Sequence, residues 1–181
     1  MTVERVPRHV LPDILAPHLS VLFCGTAVPC AAARGHYHAG PGDDFWRFLH
    51  EAGFTPRRLA PSDDAMLATH GHGLTDLAKR PLSPGGVPGY DVARLVRTVE
   101  ACQPRWLAFT SKTAGQAAAR GLGHPVPGLG PADWQVGGAD VYVLPSPSGA
   151  NRRRDYDGRP SRVDWWSELC RLVQEADLRT A

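Results

Sequence analysis

No window of the 181-residue chain approaches the ~18 consecutive apolar residues that a membrane span needs. The opening MTVERVPRHVLPDILAP likewise lacks an apolar stretch behind a basic start. A protein neither exported nor membrane-spanning, and hence cytoplasmic, is expected. Cysteine is scarce: Cys24, Cys30, Cys102 and Cys170 are spaced for neither a zinc site nor an iron–sulfur cluster, so reduced thiols are expected. An excess of either charge is also missing, with 20 basic against 18 acidic residues and a net charge of +2. A polyanion partner therefore has to be argued from local clustering rather than bulk charge. Lysine is nearly absent, only Lys79 and Lys112, a bias without functional content. No internal repeat occurs, and a composition of 43% hydrophobic and 21% charged residues excludes disordered, collagen-like and coiled-coil chains.

What is abundant is punctuation. With 17 prolines and 19 glycines, the chain favours short elements joined by shaped loops. Leu19–Cys24 is an apolar run that reads as a buried strand, followed by a Gly/Ala-rich loop, Gly25–Pro41, too long for a mere connector. Asp43 or Asp44 caps a helix through Phe45, Trp46, Phe48, Leu49 and Ala52, stopped by Gly53. Ser62 opens a short helical segment up to Gly71, and Gly73–Ala78 reads as a short strand. Pro81–Gly89 is a loop, and Tyr90–Cys102 resumes helical spacing with Asp91 at its start. Arg105–Thr110, the cap Ser111 and the helix Lys112–Arg120 form a βα unit. Asp133–Gly137 and Val141–Leu144 flank a Gly137–Gly138 turn. Pro145–Gly149 leads into Arg152, Arg153 and Arg154, and a last helix runs from about Ser161. Strands alternating with helices predict one domain over residues 1–181, a three-layer α/β/α sandwich around a short, mostly parallel sheet. Residues 1–11 are expected to be a flexible leader.

In such a sheet ligands bind beyond the carboxyl ends of the strands. Gly25–Pro41 offers backbone N–H groups and the rings of Tyr37 and His38, suited to a flat polar ligand. Pro145–Arg154 offers a rigid hook beside three arginines, suited to a phosphate backbone. His36, His38, His70 and His72 have no spaced acidic or cysteine ligand to complete a metal site, and neither metal nor cofactor is expected.

Five segments in order, DILAPHLSVLFCG, HAGPGDDFW, EAGFTPRRLAP, GLTDLAKRP and VLPSPSG, resemble the mismatch-specific uracil-DNA glycosylase and thymine-DNA glycosylase family of the uracil-DNA glycosylase superfamily. The resemblance spans roughly residues 12 to 175. It implies a uracil-DNA glycosylase-like fold and a monofunctional DNA-repair glycosylase, and a monomer is expected. Such an enzyme flips a mismatched or damaged base out of duplex DNA and cuts the N-glycosidic bond with water. By the same match Gly25, Thr26, Ala27, Tyr37, His38, Asp43 and Ser146 border the base pocket. Ser148, Gly149, Ala150, Asn151 and Arg152 to Arg154 meet DNA, with Lys79 at a phosphate or the pocket edge.

The sequence departs from the family where an Asn usually positions the attacking water, because that position is Ala27. Similarly His38 takes the place of a stacking aromatic, Asp43 that of a later Asn, and Ser146 that of an Asn near the base. A methyl group cannot hold a water, so a carboxylate must stabilise the oxocarbenium-like sugar and orient the nucleophile. Asp91, at the helix start after GLTDLAKRP, is the first candidate, Asp43 the second and Asp76 the third. Asp91 could equally be a helix cap alone. The expected activity is release of uracil, preferentially opposite guanine. A catalytically inactive damaged-DNA or abasic-site binder of the same fold is the alternative, and an enzyme of free nucleosides a remoter one.

Overall fold

In the computed structural model, residues 11–26, 34–79, 89–151 and 156–179 are described. Their strands are Val21–Gly25 (β1), His72–Asp76 (β2), Trp106–Phe109 (β3), Gly130–Val136 (β4) and Ala139–Val143 (β5). They form one sheet in the order β2-β1-β3-β5-β4. β1 pairs in parallel with β2 and β3, and β3 with β5, while β4 closes one edge antiparallel to β5.

Strand side chains alternate between faces, and both faces are covered. Val21 and Phe23 point to one side, into a core shared with Phe45, Phe48 and Leu49 of α1 (Phe45–Ala52) and Trp166, Leu169 and Val173 of α4 (Arg162–Leu178). Leu22 and Cys24 point to the other, against Leu95 and Val99 of α2 (Val92–Cys102) and Ala114, Ala118 and Ala119 of α3 (Lys112–Leu122). The indole of Trp166 stacks on Phe23 with centroids 5.8 Å apart and meets Phe45 edge-on at 5.6 Å. These two layers on one sheet are the expected α/β/α sandwich. Helix ends follow local chemistry: Ser111 accepts from the N–H of Ala114, Ser161 from that of Val163, and Gly53 and Gly123 close α1 and α3 in the left-handed conformation.

The differences from the sequence reading are small. The segment opened by Pro61 is a 3₁₀ helix to His70, the second strand starts at His72 and ends at Asp76, and α3 runs on to Leu122. β4 starts at Gly130, three residues before the expected Asp133. Of the expected leader, residues 1–10 lie outside the described residues, while Leu11 is buried in the core beside α1. No helix among the described residues is long and apolar enough to cross a membrane.

His72, at the start of β2, packs edge-on against Phe23 and Phe54, and burial lowers its pKa from 6.5 to about 4. The unfolded chain therefore takes up a proton between these values that the folded chain refuses, so stability falls as pH drops through that window. The expected loss approaches about 3 kcal/mol by pH 4. Urea denaturation at stepped pH should show this slope in the wild type and a shallower one in His72→Gln.

Candidate active site

Three parallel strands end together. In their register Gly25 of β1 lies beside Asp76 of β2, and Thr110 follows β3 with its N–H donating to Cys24 O at 3.0 Å. Glycine at this position leaves room for the carboxylate, since a Cβ on it would stand 2.6 Å from Asp76 Oδ1 and displace that side chain. The carboxylate thus occupies the space that a side chain at the end of β1 would fill. Beyond these ends lies a cavity of about 280 Å³. Its walls are Gly25 and Thr26, Arg34 and the stretch Tyr37–Pro41, Asp43, Asp76, Thr110 and Ser111, and the hook Ser146–Gly149.

The structure therefore gathers Gly25, Thr26, Tyr37, His38, Asp43 and Ser146 around one cavity, together with Ser148 and Gly149. Ala27 and Arg152, Arg153 and Arg154 lie outside the described residues. Ala150 and Asn151 form the turn after the hook: Ser148 Oγ accepts from the N–H of Ala150 at 3.3 Å and Ser148 O from that of Asn151 at 3.0 Å.

Two of the expected residues are not among those lining the cavity. Asp91 does not line the cavity. It caps α2, its Oδ1 accepting from the N–H of Arg94 at 2.9 Å, while its own N–H donates to Leu77 O at 2.9 Å. Lys79, expected at a phosphate or the pocket edge, turns inward beside Tyr37 and Asp76 of the cavity wall. Only 10% of its side chain is exposed, and its ammonium donates to Leu11 O at 2.6 Å and Tyr37 Oη at 2.7 Å and stands 2.8 Å from Asp13 Oδ1.

The carboxylate at the cavity floor is Asp76. Burial raises its pKa above the ordinary carboxylate value, and the charges of Lys79, His38 and Arg94 pull it back down while Asp13 pushes it up. Burial likewise raises the pKa values of the neighbouring Tyr37 phenol and Cys24 thiol, so both remain neutral.

His38 is held in three ways. Its Nδ1 is 3.0 Å from Asp43 Oδ2, its ring lies parallel to Phe45 with centroids 3.9 Å apart, and its backbone takes the left-handed φ of 52°. Asp43 is in turn fixed by the N–H of Phe45, which donates to its Oδ1 at 2.9 Å. Asp43 therefore orients a histidine, and a flat ligand would meet the ring on the face opposite Phe45. Two further histidines are engaged elsewhere: His36 Nδ1 is 3.3 Å from Asp64 Oδ2, and His72 is buried. Among the described residues no group of three or more His, Cys, Asp or Glu could hold a metal ion.

The sequence reading missed Arg162, at the start of α4. Its guanidinium donates to Ser146 O at 2.8 Å, Ser148 O at 3.1 Å and Asp44 Oδ2 at 2.8 Å, fastening the hook to the base of α1. The N–H of Asp44 also donates to Pro147 O at 2.9 Å, and a Cβ on Gly149 would collide with the carbonyl of Gly42. No local pattern marks this clamp, because Asp44 and Gly42 lie more than a hundred residues from the Arg162 and hook residues they meet.

The sequence profile of the uracil DNA glycosylase superfamily matches residues 12–170. The chain belongs to that superfamily. Among solved structures, it is similar to the solution NMR structure of a candidate uracil DNA glycosylase from Methanosarcina acetivorans, with a TM-score of 0.60 and 24% identity. The match covers 92% of this chain and 98% of that one, and it shows a shared fold. Membership supports a DNA glycosylase role with DNA as the partner.

Proposed function

We propose that the protein is a DNA-repair hydrolase of the mismatch-specific uracil type. It flips uracil, preferentially opposite guanine, from duplex DNA into the cavity and cuts the N-glycosidic bond to leave an abasic site. The observation that carries this reading is a mostly buried carboxylate, Asp76, on the floor of a cavity that also holds the His38 ring and the Ser146–Gly149 hook. Departure of the base leaves positive charge on the sugar, and an ionised Asp76 in a poorly solvated site stabilises that charge and orients water. Asp76, rather than Asp91, thus does the work of the Asn that Ala27 replaces. The base stacks on the free face of His38, with the Thr26 backbone and Ser146 at its polar edge. The hook enters the duplex where the base was, and Arg152 to Arg154 meet phosphate.

Base release from labelled duplexes carrying uracil opposite guanine, uracil opposite adenine and thymine opposite guanine, with free deoxyuridine alongside, tests this reading. The expected order places uracil opposite guanine first and the free nucleoside last. Equal rates on the nucleoside and the duplex would contradict it, and tight duplex binding without release would favour the inactive binder.

A further inference from the structure

We propose that Lys79 is a positioning residue for this reaction, a cation that Asp13 holds close to Asp76 but out of contact with it, so that the carboxylate stays ionised with its oxygens free. The proposal rests on the reading of Asp76 as the reacting carboxylate. An ammonium has three protons to donate. Leu11 O, Tyr37 Oη and Asp13 Oδ1, at 2.6, 2.7 and 2.8 Å, account for all three. Asp76 Oδ2 is 4.0 Å from the same nitrogen, beyond hydrogen-bond reach yet well within the range at which a cation lowers a carboxyl pKa.

Asp13 is itself held in place. Its second oxygen lies 2.8 Å from Arg94 Nη1, and Arg94 Nη2 donates to Thr75 Oγ1 at 3.1 Å and to Asp76 O at 2.5 Å. The same arginine thus fixes both the anion that detains Lys79 and the backbone that carries Asp76. Without Asp13 the ammonium could close on Asp76, and a closed ion pair would occupy the oxygens that the sugar and water need. The groups that face Asp76 are Lys79 from the segment after β2, Asp13 from the N-terminal segment, Arg94 from α2 and His38 from the loop after β1. Tyr37 and Cys24 adjoin it as neutral groups.

The test is the pH profile of single-turnover base release for wild type, Lys79→Met, Lys79→Arg, Asp13→Asn and Asp76→Asn. Lys79→Met removes a cation, so the acidic limb moves to higher pH, with activity at pH 6 falling about tenfold more than at pH 8. Lys79→Arg keeps the charge and leaves the limb near its wild-type position. Asp13→Asn removes a repelling anion and lets Lys79 approach, so the limb moves the opposite way, to lower pH. Both Lys79→Met and Asp13→Asn break the same ion pair, and a merely structural role would move their profiles together. Movement in the same direction, or no movement, overturns the proposal. If Lys79→Met does not fold, Asp13→Asn decides alone, an unmoved or raised limb being contrary. Full release by Asp76→Asn would instead overturn the reading of Asp76 itself, whereas an inactive Asp76→Asn with unmoved limbs removes only the role of Lys79.

Discussion

Asp76→Asn should lower base release by about 10³-fold while duplex binding stays within a few-fold of wild type. An amide still orients water, but it carries no charge to set against the sugar cation. The same variant should be as stable as the wild type or more so, and this separates chemistry from scaffolding. Burial raises the Asp76 pKa on folding. A group raised in this way contributes stability below its unfolded pKa and loses it as pH rises through the folded value. Wild-type stability should therefore fall as pH rises through the folded value, and Asn, which does not titrate, should lack that fall. Asp91→Asn should behave differently, keeping most of the activity and losing at most about 1 kcal/mol of stability from the α2 cap. Single-turnover release, binding anisotropy and thermal denaturation on the two variants side by side check these expectations.

Arg162→Ala should weaken duplex affinity by about 10- to 100-fold with little change in melting temperature, since it releases the hook from α1 without opening the core. Removing the guanidinium leaves one oxygen of Asp44 without its donor and takes one donor each from Ser146 O and Ser148 O, which then keep only those of Asn151. The hook would then have to be ordered at the moment of binding. Arg162→Lys should rescue poorly, because one ammonium cannot reproduce a planar fork spread over three acceptors. Rescue by Lys would show that only the positive charge matters, and an unchanged affinity in Arg162→Ala would show that the hook does not engage the duplex.

The placements of Asp91 and Lys79 show what a sequence can carry. The α/β alternation was legible because strand and helix patterns differ in period and because Ser111, Ser161, Gly53 and Gly123 mark helix ends through local chemistry. The cavity was legible in outline, since the loops after buried strands face the same edge of a parallel sheet. Choosing among Asp43, Asp76 and Asp91 required the pairing of β1 with β2. That pairing sets Asp76 beside Gly25 and leaves Asp91 as a cap, a fact of register between segments about fifty residues apart. Lys79 was expected at a phosphate or the pocket edge, and its ties to Asp13, Leu11 and Tyr37 were not legible because these partners are distant in the chain. Arg162 gave no sign of its tie to Asp44 for the same reason, that partner being 118 residues away. Local pattern reports local structure, and the charges of this site are arranged by contacts between distant segments.

The most direct measurement incubates the wild-type protein, in excess, with a duplex carrying one uracil opposite guanine, and assays both free uracil and alkali-labile abasic sites. Equal amounts of the two, appearing together in wild type and absent with Asp76→Asn, are the predicted result. A duplex that is bound tightly and recovered with its uracil in place would contradict the account.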